Sequence, residues 1–418
     1  MQKTTPLLPY QKLVIALLAV TQFTIILDFM VISPLGDFLM KSMNLHPKQF
    51  GLVVSAYAFS AGISGLLTAG FADRFDRKKL LLFFYGGFIV GTVLCGIAHS
   101  YFMLLGARII TGLFGGVIGS VSMAIVADLF IIEQRGRVMG FMQMGFGASQ
   151  VLGIPIGLYI ANRWGWQAPF WMVAGIAILA VILIWIKLQP VNQHLALQKD
   201  RSAFMHLLHT VAKRHYRIGF TSTALLSIGG FMMMPFGSAF AINNLHVTPH
   251  ELPLLFMVSG IGALFIMPLI GKLSDRVDKF RLFTAASFYM MILVVIYTNL
   301  TPEPLWVIMV FNVLIMGGIF SRMVPATALT TAIPDIQDRG AFMSINASLQ
   351  QIAGGVAAAV AGMIVVQKTK FSPLEHYNTL GYLIVLISSV TIWLLYRVSR
   401  MIKARSDDPP VMQQEIIA

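Results

Sequence analysis

The sequence predicts an all-α membrane protein, with twelve transmembrane helices arranged as two pseudo-symmetric six-helix bundles. Three observations lead there. Of the 418 residues, 57% are hydrophobic and 11% charged, whereas a soluble domain carries about 25% charged residues. Apolar runs of about eighteen residues or more recur along the chain, each able to cross a hydrocarbon core of ~30 Å as a helix. A dense charged cluster, "GFADRFDRKKL" from Gly70 to Leu80, nearly returns as "GKLSDRVDKFRL" from Gly271 to Leu282, as a duplicated half requires.

The runs are unbroken and rich in Leu, Ala, Gly and Met. They lack the alternating ten-residue pattern of barrel strands, and a lone helix satisfies its own backbone in lipid. Span one covers 13–39 and holds Gln22 and Asp28. Lys3 and Lys12 before "LVIALLAV" resemble the start of a signal peptide, but the apolar run continues to Leu39, which argues against cleavage. Span two covers 50–71 and span three 80–99, with the only cysteine, Cys95. Span four, 101–127, contains Arg108. Span five, 138–161, contains Gln143 and Gln150, and span six covers 168–187. Spans seven to nine cover 218–241, 252–271 and 280–299. Span seven includes "FMMMPF", where Pro235 is expected to bend the helix. Span ten, 305–327, holds Asn312 and Arg322. Span eleven, 341–366, holds Asn346, Gln350 and Gln351, and span twelve covers 380–398. Spans three, six, nine and twelve have no charge within their apolar stretches and read as lipid-facing supports.

The net charge of +13 does not point to nucleic acid. The basic residues form short clusters between apolar runs, in segments 1–12, 72–79, 128–137, 188–217, 272–281, 328–340 and the tail. The opposite segments hold only Lys41, Lys48, Arg163, Lys368 and Lys370. By the positive-inside rule both termini are cytoplasmic. A single cysteine excludes a disulfide framework or a cysteine-based metal site within the chain. The organisation expected is an N-terminal bundle 1–187, a linker 188–217, a C-terminal bundle 218–400 and a tail 401–418. In the linker, Phe204, Leu207, Leu208 and Val211 have the spacing of a helix lying on the membrane surface.

The two charged clusters each follow the second span of a half. Asp73, Arg74 and Asp76 match Asp275, Arg276 and Asp278. "EQRGRVMGF" at 133–141 and "QDRGAFMSI" at 337–345 likewise precede each fifth span. Two parallel six-span repeats indicate a transporter. On these residues the chain resembles the major facilitator superfamily. "GFADRFDRKKL" is similar to its signature between spans two and three, and "RIITGLFGG" from Arg108 to its fourth-span motif. "GASQVLGIPIG" from Gly147 resembles the fifth-span motif of proton-driven exporters, with Ile154 separating a Gly153–Pro155 pair expected to be adjacent. "WGWQAPFW" from Trp164 is similar to the turn that follows.

The repeated cluster has a physical rationale as a conformational latch of Gly70, Asp73, Arg74, Arg77, Asp128, Asp275 and Arg276. Gly70 permits close packing. Asp73 is placed to face a helix N-terminus, with Gly340–Ala341 the candidate. The basic residues are placed to pair with Asp128 at the inner end of span four. Intramembrane charges are costly and are functional candidates by default. Asp28 stands about 22 Å from Leu13 at 1.5 Å per residue, a depth similar to that of Arg108. Pairing favours the carboxylate and desolvation favours the neutral acid, so a balanced Asp28–Arg108 site is suited to proton coupling. Arg322 either attracts an anionic group of a substrate or snorkels to the cytoplasmic surface. The resemblance implies that spans one, five, ten and eleven line a substrate cavity, with Gln22, Gln143, Gln150, Asn312, Arg322, Asn346 and Gln350 as its polar groups.

The expectation is a secondary active transporter of the bacterial cytoplasmic (inner) membrane, driven by a proton gradient and with no cofactor. Its partners are protons, the lipid bilayer and a small organic or amphipathic substrate, with export favoured and a monomer expected. Sugar efflux, lysolipid transport, import of an anionic nutrient and a non-transporting receptor of the same fold are the alternatives. No GxxxxGK[ST] phosphate loop and no HExxH metalloprotease motif occurs, which argues against an ATP-driven pump and an intramembrane enzyme.

Overall fold

The computed structural model describes residues 7–68, 72–192, 195, 203–335 and 337–407. Among them, 12 helices are long and apolar enough to cross a membrane. In chain order the helices are α1 (Pro9–Val31), α2 (Gly36–Met43), α3 (Pro47–Thr68), α4 (Arg77–Gly96), α5 (Tyr101–Leu129), α6 (Ile132–Ala148), α7 (Ile154–Trp164) and α8 (Ala168–Lys187) in the first half. A linker helix α9 (Ala203–Ala212) follows. The second half contains α10 (Arg214–Phe231), α11 (Gly237–Asn243), α12 (Leu252–Arg276), α13 (Lys279–Thr298), α14 (Leu305–Thr331), α15 (Arg339–Ile364) and α16 (Tyr377–Asp407). The one extended pairing among the described residues is an isolated antiparallel bridge between Val366 and Glu375.

Span one is shorter than its apolar run. It ends at Val31, a turn covers residues 32–35, and the rest of the run becomes the separate helix α2. Ser33–Pro34 gives the reason: a proline disfavours the helical region at the residue before it and has no N–H for the ladder. Span seven is interrupted as well. A 3₁₀ turn, Met234–Phe236, stands between α10 and α11, with Pro235 inside it. In span five, α6 and α7 are joined by a π turn over Ser149–Gly153. A π turn absorbs one extra residue in a helix, and Ile154 between Gly153 and Pro155 is such an extra residue relative to the exporter pattern.

The two bundles meet along α3 and α15. Gly51 and Gly362 allow contact between backbones there, since a Cβ on Gly51 would lie 2.7 Å from the Ala358 carbonyl oxygen. Ser55 Oγ donates to the Gly355 carbonyl at 2.9 Å across the same seam. Twelve crossings return the chain to the face it started from. At the opposite face, polar side chains join the halves. Asp37 on α2 pairs with Lys41 at 2.8 Å and accepts from Asn243 Nδ2 on α11 at 2.6 Å. Lys41 also donates to Asn243 Oδ1 at 3.2 Å. Ser238 donates to the Ser33 carbonyl, and Asn162 donates to the Pro249 carbonyl.

The linker helix does not present its whole apolar face to lipid. Leu207 is buried in a cluster with Tyr216, Phe220, Phe283 and Phe342 of the second half, while Leu208 and Val211 stay exposed. The Phe204 side chain lies outside the described residues. Spans three, six, nine and twelve expose Phe83, Leu179, Ile292 and Leu386 among other large apolar side chains, as lipid-facing helices do.

Candidate functional site

Thr21, Thr24 and Asp28 recur on α1 at helical spacing and are all fully buried. They form a polar stripe aimed into the first bundle. Thr24 Oγ1 and the Tyr85 hydroxyl share a hydrogen bond of 2.7 Å. Arg108 Nη1, from α5, donates to Asp28 Oδ2 at 2.8 Å, and both side chains have no exposed surface. Thr92 on α4 donates to Asp28 Oδ1 at 3.3 Å. The ring of Tyr57 on α3 lies 4.5 Å from the Arg108 guanidinium carbon, within cation–π range. Arg108 Nε and Nη2 have no hydrogen-bond partner among the described residues.

Glycines create this geometry. A Cβ on Gly112 would strike Ser60 Oγ and the Tyr57 carbonyl, and one on Gly116 would strike the Ala61 carbonyl. The bare surface of α5 therefore lets α3 approach until Tyr57 covers Arg108. Chemically the site is a carboxylate and a guanidinium held together away from water. Adding a proton to Asp28 removes half of that balance.

An aromatic chain leads from the pair toward the other half. Phe29, next to Asp28, lies 5.3 Å from Tyr57 and 6.3 Å from Phe231 on α10, between ring centroids. Phe29, Val54 and Ala58 from the first half, with Phe231, Met234 and Gly354 from the second, line an apolar crevice.

The remaining cavity candidates differ in their surroundings. Gln22 is half-buried, with Gly119 opposite its amide oxygen, and Gln143 is exposed. Gln150 lies in the π turn. Asn312 donates to the Ile308 carbonyl of its own helix at 2.9 Å. Gln350 lines a small crevice with Ser222, Thr223, Thr327 and Thr330. Asn346 is buried with its amide oxygen unpartnered among the described residues. Arg322 does not snorkel: it is 3% exposed, with the Phe283 ring 5.8 Å away.

At the terminal face Arg77 Nε lies 3.3 Å from Asp128 Oδ2, and Arg77 Nη1 donates to the Ala72 carbonyl at 3.0 Å. Gly70 and the Asp73 side chain lie outside the described residues, and Arg74 is exposed. Asp275 and Arg276 are both exposed at the end of α12. No ion pair joins either of them to another described residue, so the second cluster does not repeat the Arg77–Asp128 contact.

Sequence reasoning missed three groups here. Asp76 and Asp278 each cap the third span of a half, accepting from Lys79 N at 3.1 Å and Arg281 N at 3.0 Å. Asp before a basic first turn was the available signal. The Arg281 N–H, and then Lys403, hold the Asp278 carboxyl below the usual carboxylate range. Asp338, at the start of α15, accepts from Lys213 and from the Tyr216 hydroxyl. These bonds hold its carboxyl down too. The Asp37–Lys41–Asn243 group joins two parts of the chain about half its length apart, and no local pattern marks it.

A model of the Major Facilitator Superfamily matches residues 18–358 and again residues 219–411. A probable sugar efflux transporter of Helicobacter acinonychis (strain Sheeba) is 26% identical over 253 residues, which cover 60% of this chain and 63% of that protein. The uncharacterized MFS-type transporter YbcL of Bacillus subtilis (strain 168) is 23% identical over 389 residues, covering 91% of this chain and 95% of that one. Among solved structures, a bacterial homolog of the human lysosomal transporter Spinster, inward-facing and unoccupied, superposes with a TM-score of 0.75. It is 16% identical and covers 96% of this chain and 99% of its own.

Proposed function

The chain belongs to the Major Facilitator Superfamily, and on that premise we propose that it exports a small amphipathic organic molecule across a bacterial cytoplasmic membrane in exchange for protons. The observation that carries this reading is Asp28, the one carboxylate fully buried within a span among the described residues. Its charge is balanced by Arg108 at 2.8 Å. Protonation of Asp28 leaves the guanidinium buried without its counter-charge, a costly arrangement that favours a different packing of spans one, two and four. Tyr57, Phe29 and Phe231 transmit that change to the seam between the halves. The apolar crevice beside Phe29 receives the apolar part of the substrate, and the amides of spans one, five, ten and eleven receive its polar groups.

The positive-inside bias makes the terminal face cytoplasmic. The Asp37–Lys41–Asn243 contacts then hold the periplasmic side shut, and the charged clusters at the terminal face supply the latch of the opposite phase, with Arg77–Asp128 bracing helices within the first half. In this scheme the protein acts as a monomer and needs no cofactor. Sugar is the second reading of the substrate, favoured by the name of the Helicobacter relative and by amides suited to hydroxyl groups.

The test is transport in proteoliposomes with and without an imposed pH gradient, over a panel of dyes, drugs and sugars. Asp28→Asn should keep the fold and substrate binding and lose gradient-driven accumulation. A variant that responds to the gradient as the parent does would remove Asp28 from the proton path.

A further inference from the structure

Arg322, like Arg108, is an arginine buried deep within a span, and it lacks what Arg108 has. It is 3% exposed, its Nε and Nη2 have no hydrogen-bond partner among the described residues, and no carboxylate there lies within ion-pair distance. Nor does the surrounding sequence supply one. From 218 to 400 the acids are Glu251, Asp275, Asp278, Glu303, Asp335, Asp338 and Glu375. None is in an apolar stretch. Most are already engaged: Glu251 by Thr248, Asp278 by Lys403, Asp335 by Tyr216, Asp338 by Lys213 and Glu375 by Lys368. A guanidinium deep in a span without a counter-charge is costly and is expected only where something repays it.

The pattern of unpartnered atoms says what fits. Nε–H and one Nη2–H point in parallel from one edge of the guanidinium, which is the edge that grips a planar oxyanion with two hydrogen bonds. Arg108 leaves the same edge open, but Asp28 already balances its charge. Helix α13, which meets Arg322 through Phe283, also carries a buried, unpartnered hydroxyl at Ser287, one turn further along the helix. Arg322 is nine residues from the end of α14 at the terminal face, and Phe283 is in the first turns of α13. The group therefore lies on the terminal half of the second bundle, where an exporter loads.

We propose that Arg322 is an anion subsite, and that the transported molecule carries a carboxylate-type group which docks side-on against Nε and Nη2. This deepens the transporter reading and rests on it for the word "transported". The anion-binding claim itself does not depend on proton coupling through Asp28. A small inorganic co-ion has the same charge chemistry, so the experiment separates the two.

Thermal unfolding of the purified protein in nanodiscs, in chloride-free buffer, is measured against a series of monocarboxylates from acetate to benzoate. Each acid is paired with its neutral amide, and chloride is run alongside. The expected result is that at least one carboxylate raises the unfolding temperature of the parent and its amide does not. In Arg322→Gln the apparent affinity should fall about tenfold or more, as for loss of a charge-assisted hydrogen bond. Arg322→Lys, which keeps the charge without the fork, should fall between. If Arg322→Gln does not fold, Arg322→Lys alone decides: parent-like affinity overturns the fork. Stabilisation by chloride and by no carboxylate overturns the substrate claim in favour of an inorganic ion. No response to any anion, or an equal response in the variants, overturns the subsite altogether. An Asp28→Asn protein that loses gradient coupling while keeping carboxylate binding would show the two proposals to be separate.

Discussion

Truncating Arg108 to alanine leaves Asp28 in a dry interior with Thr92 as its remaining side-chain donor. Breaking a buried pair from one side costs about 3–5 kcal/mol, so Arg108→Ala should unfold well below the parent in thermal melts. Adding Asp28→Asn to Arg108→Ala should recover much of that loss, because no charge is then stranded. Additive losses in this double-mutant cycle would mean that the pair is not coupled. Both residues are legible in the sequence because a charge inside an apolar run stands out. Tyr57 and Thr92 are not, since an aromatic ring or a hydroxyl in a span has no visible mark until its neighbours are known. Arg322 was legible as a charge, but its isolation was not, because that depends on which spans surround it.

At the scale of elements, Asp278 provides a pH test. Its carboxylate caps α13 and meets Lys403 at 3.0 Å. Losing an N-cap costs about 1 kcal/mol, so Asp278→Ala should lower the unfolding temperature near neutral pH. The Asp278 carboxyl is held below its unfolded value. Its contribution is therefore complete above the ordinary carboxylate range of about 4 and is lost as the pH falls through the depressed value. The gap between parent and variant should accordingly narrow in acid; a gap that widens there would contradict the assignment. Helix contact is tested at Gly112. Gly112→Ala pushes a methyl group into the Tyr57 carbonyl, and overpacking of this kind costs typically about 1–3 kcal/mol. Melts should show that loss, together with weaker packing of Tyr57 on Arg108. The number of spans was readable from apolar runs. The break at residues 32–35 and the π turn before Ile154 were not, because both are local departures inside runs that remain apolar throughout.

Across the whole molecule, the polar contacts at the face opposite the termini hold this conformation. Ser238 Oγ lies 3.0 Å from the Ser33 carbonyl, so a cysteine at each position, in a Cys95→Ser background, should crosslink under mild oxidation. The crosslinked protein should stop transporting and should resume after reduction. Undiminished flux through the oxidised form would show that the seam does not open in the cycle. Asp37→Asn, which weakens the same group of contacts, should shift the population toward the other conformation and, in a Cys95→Ser background, raise the labelling of a cysteine at the buried Ala241 from that side.

The sequence by itself determined that the chain is a twelve-span helical membrane protein built from two related halves, because hydrocarbon thickness and backbone satisfaction admit few alternatives for such apolar runs. It also marked Asp28, Arg108 and Arg322, since charge in lipid is rare for energetic reasons. Only the tertiary structure decided which charges meet. Asp28 and Arg108 are 80 residues apart along the chain and 2.8 Å apart in space, brought together by the close approach of spans at Gly112 and Gly116. Asp37 and Asn243 come from different halves, and no local pattern couples them. Arg322 acquires its meaning from what the fold leaves out: no carboxylate among the described residues pairs with it, and a missing counter-charge becomes visible only once its neighbours have been positioned.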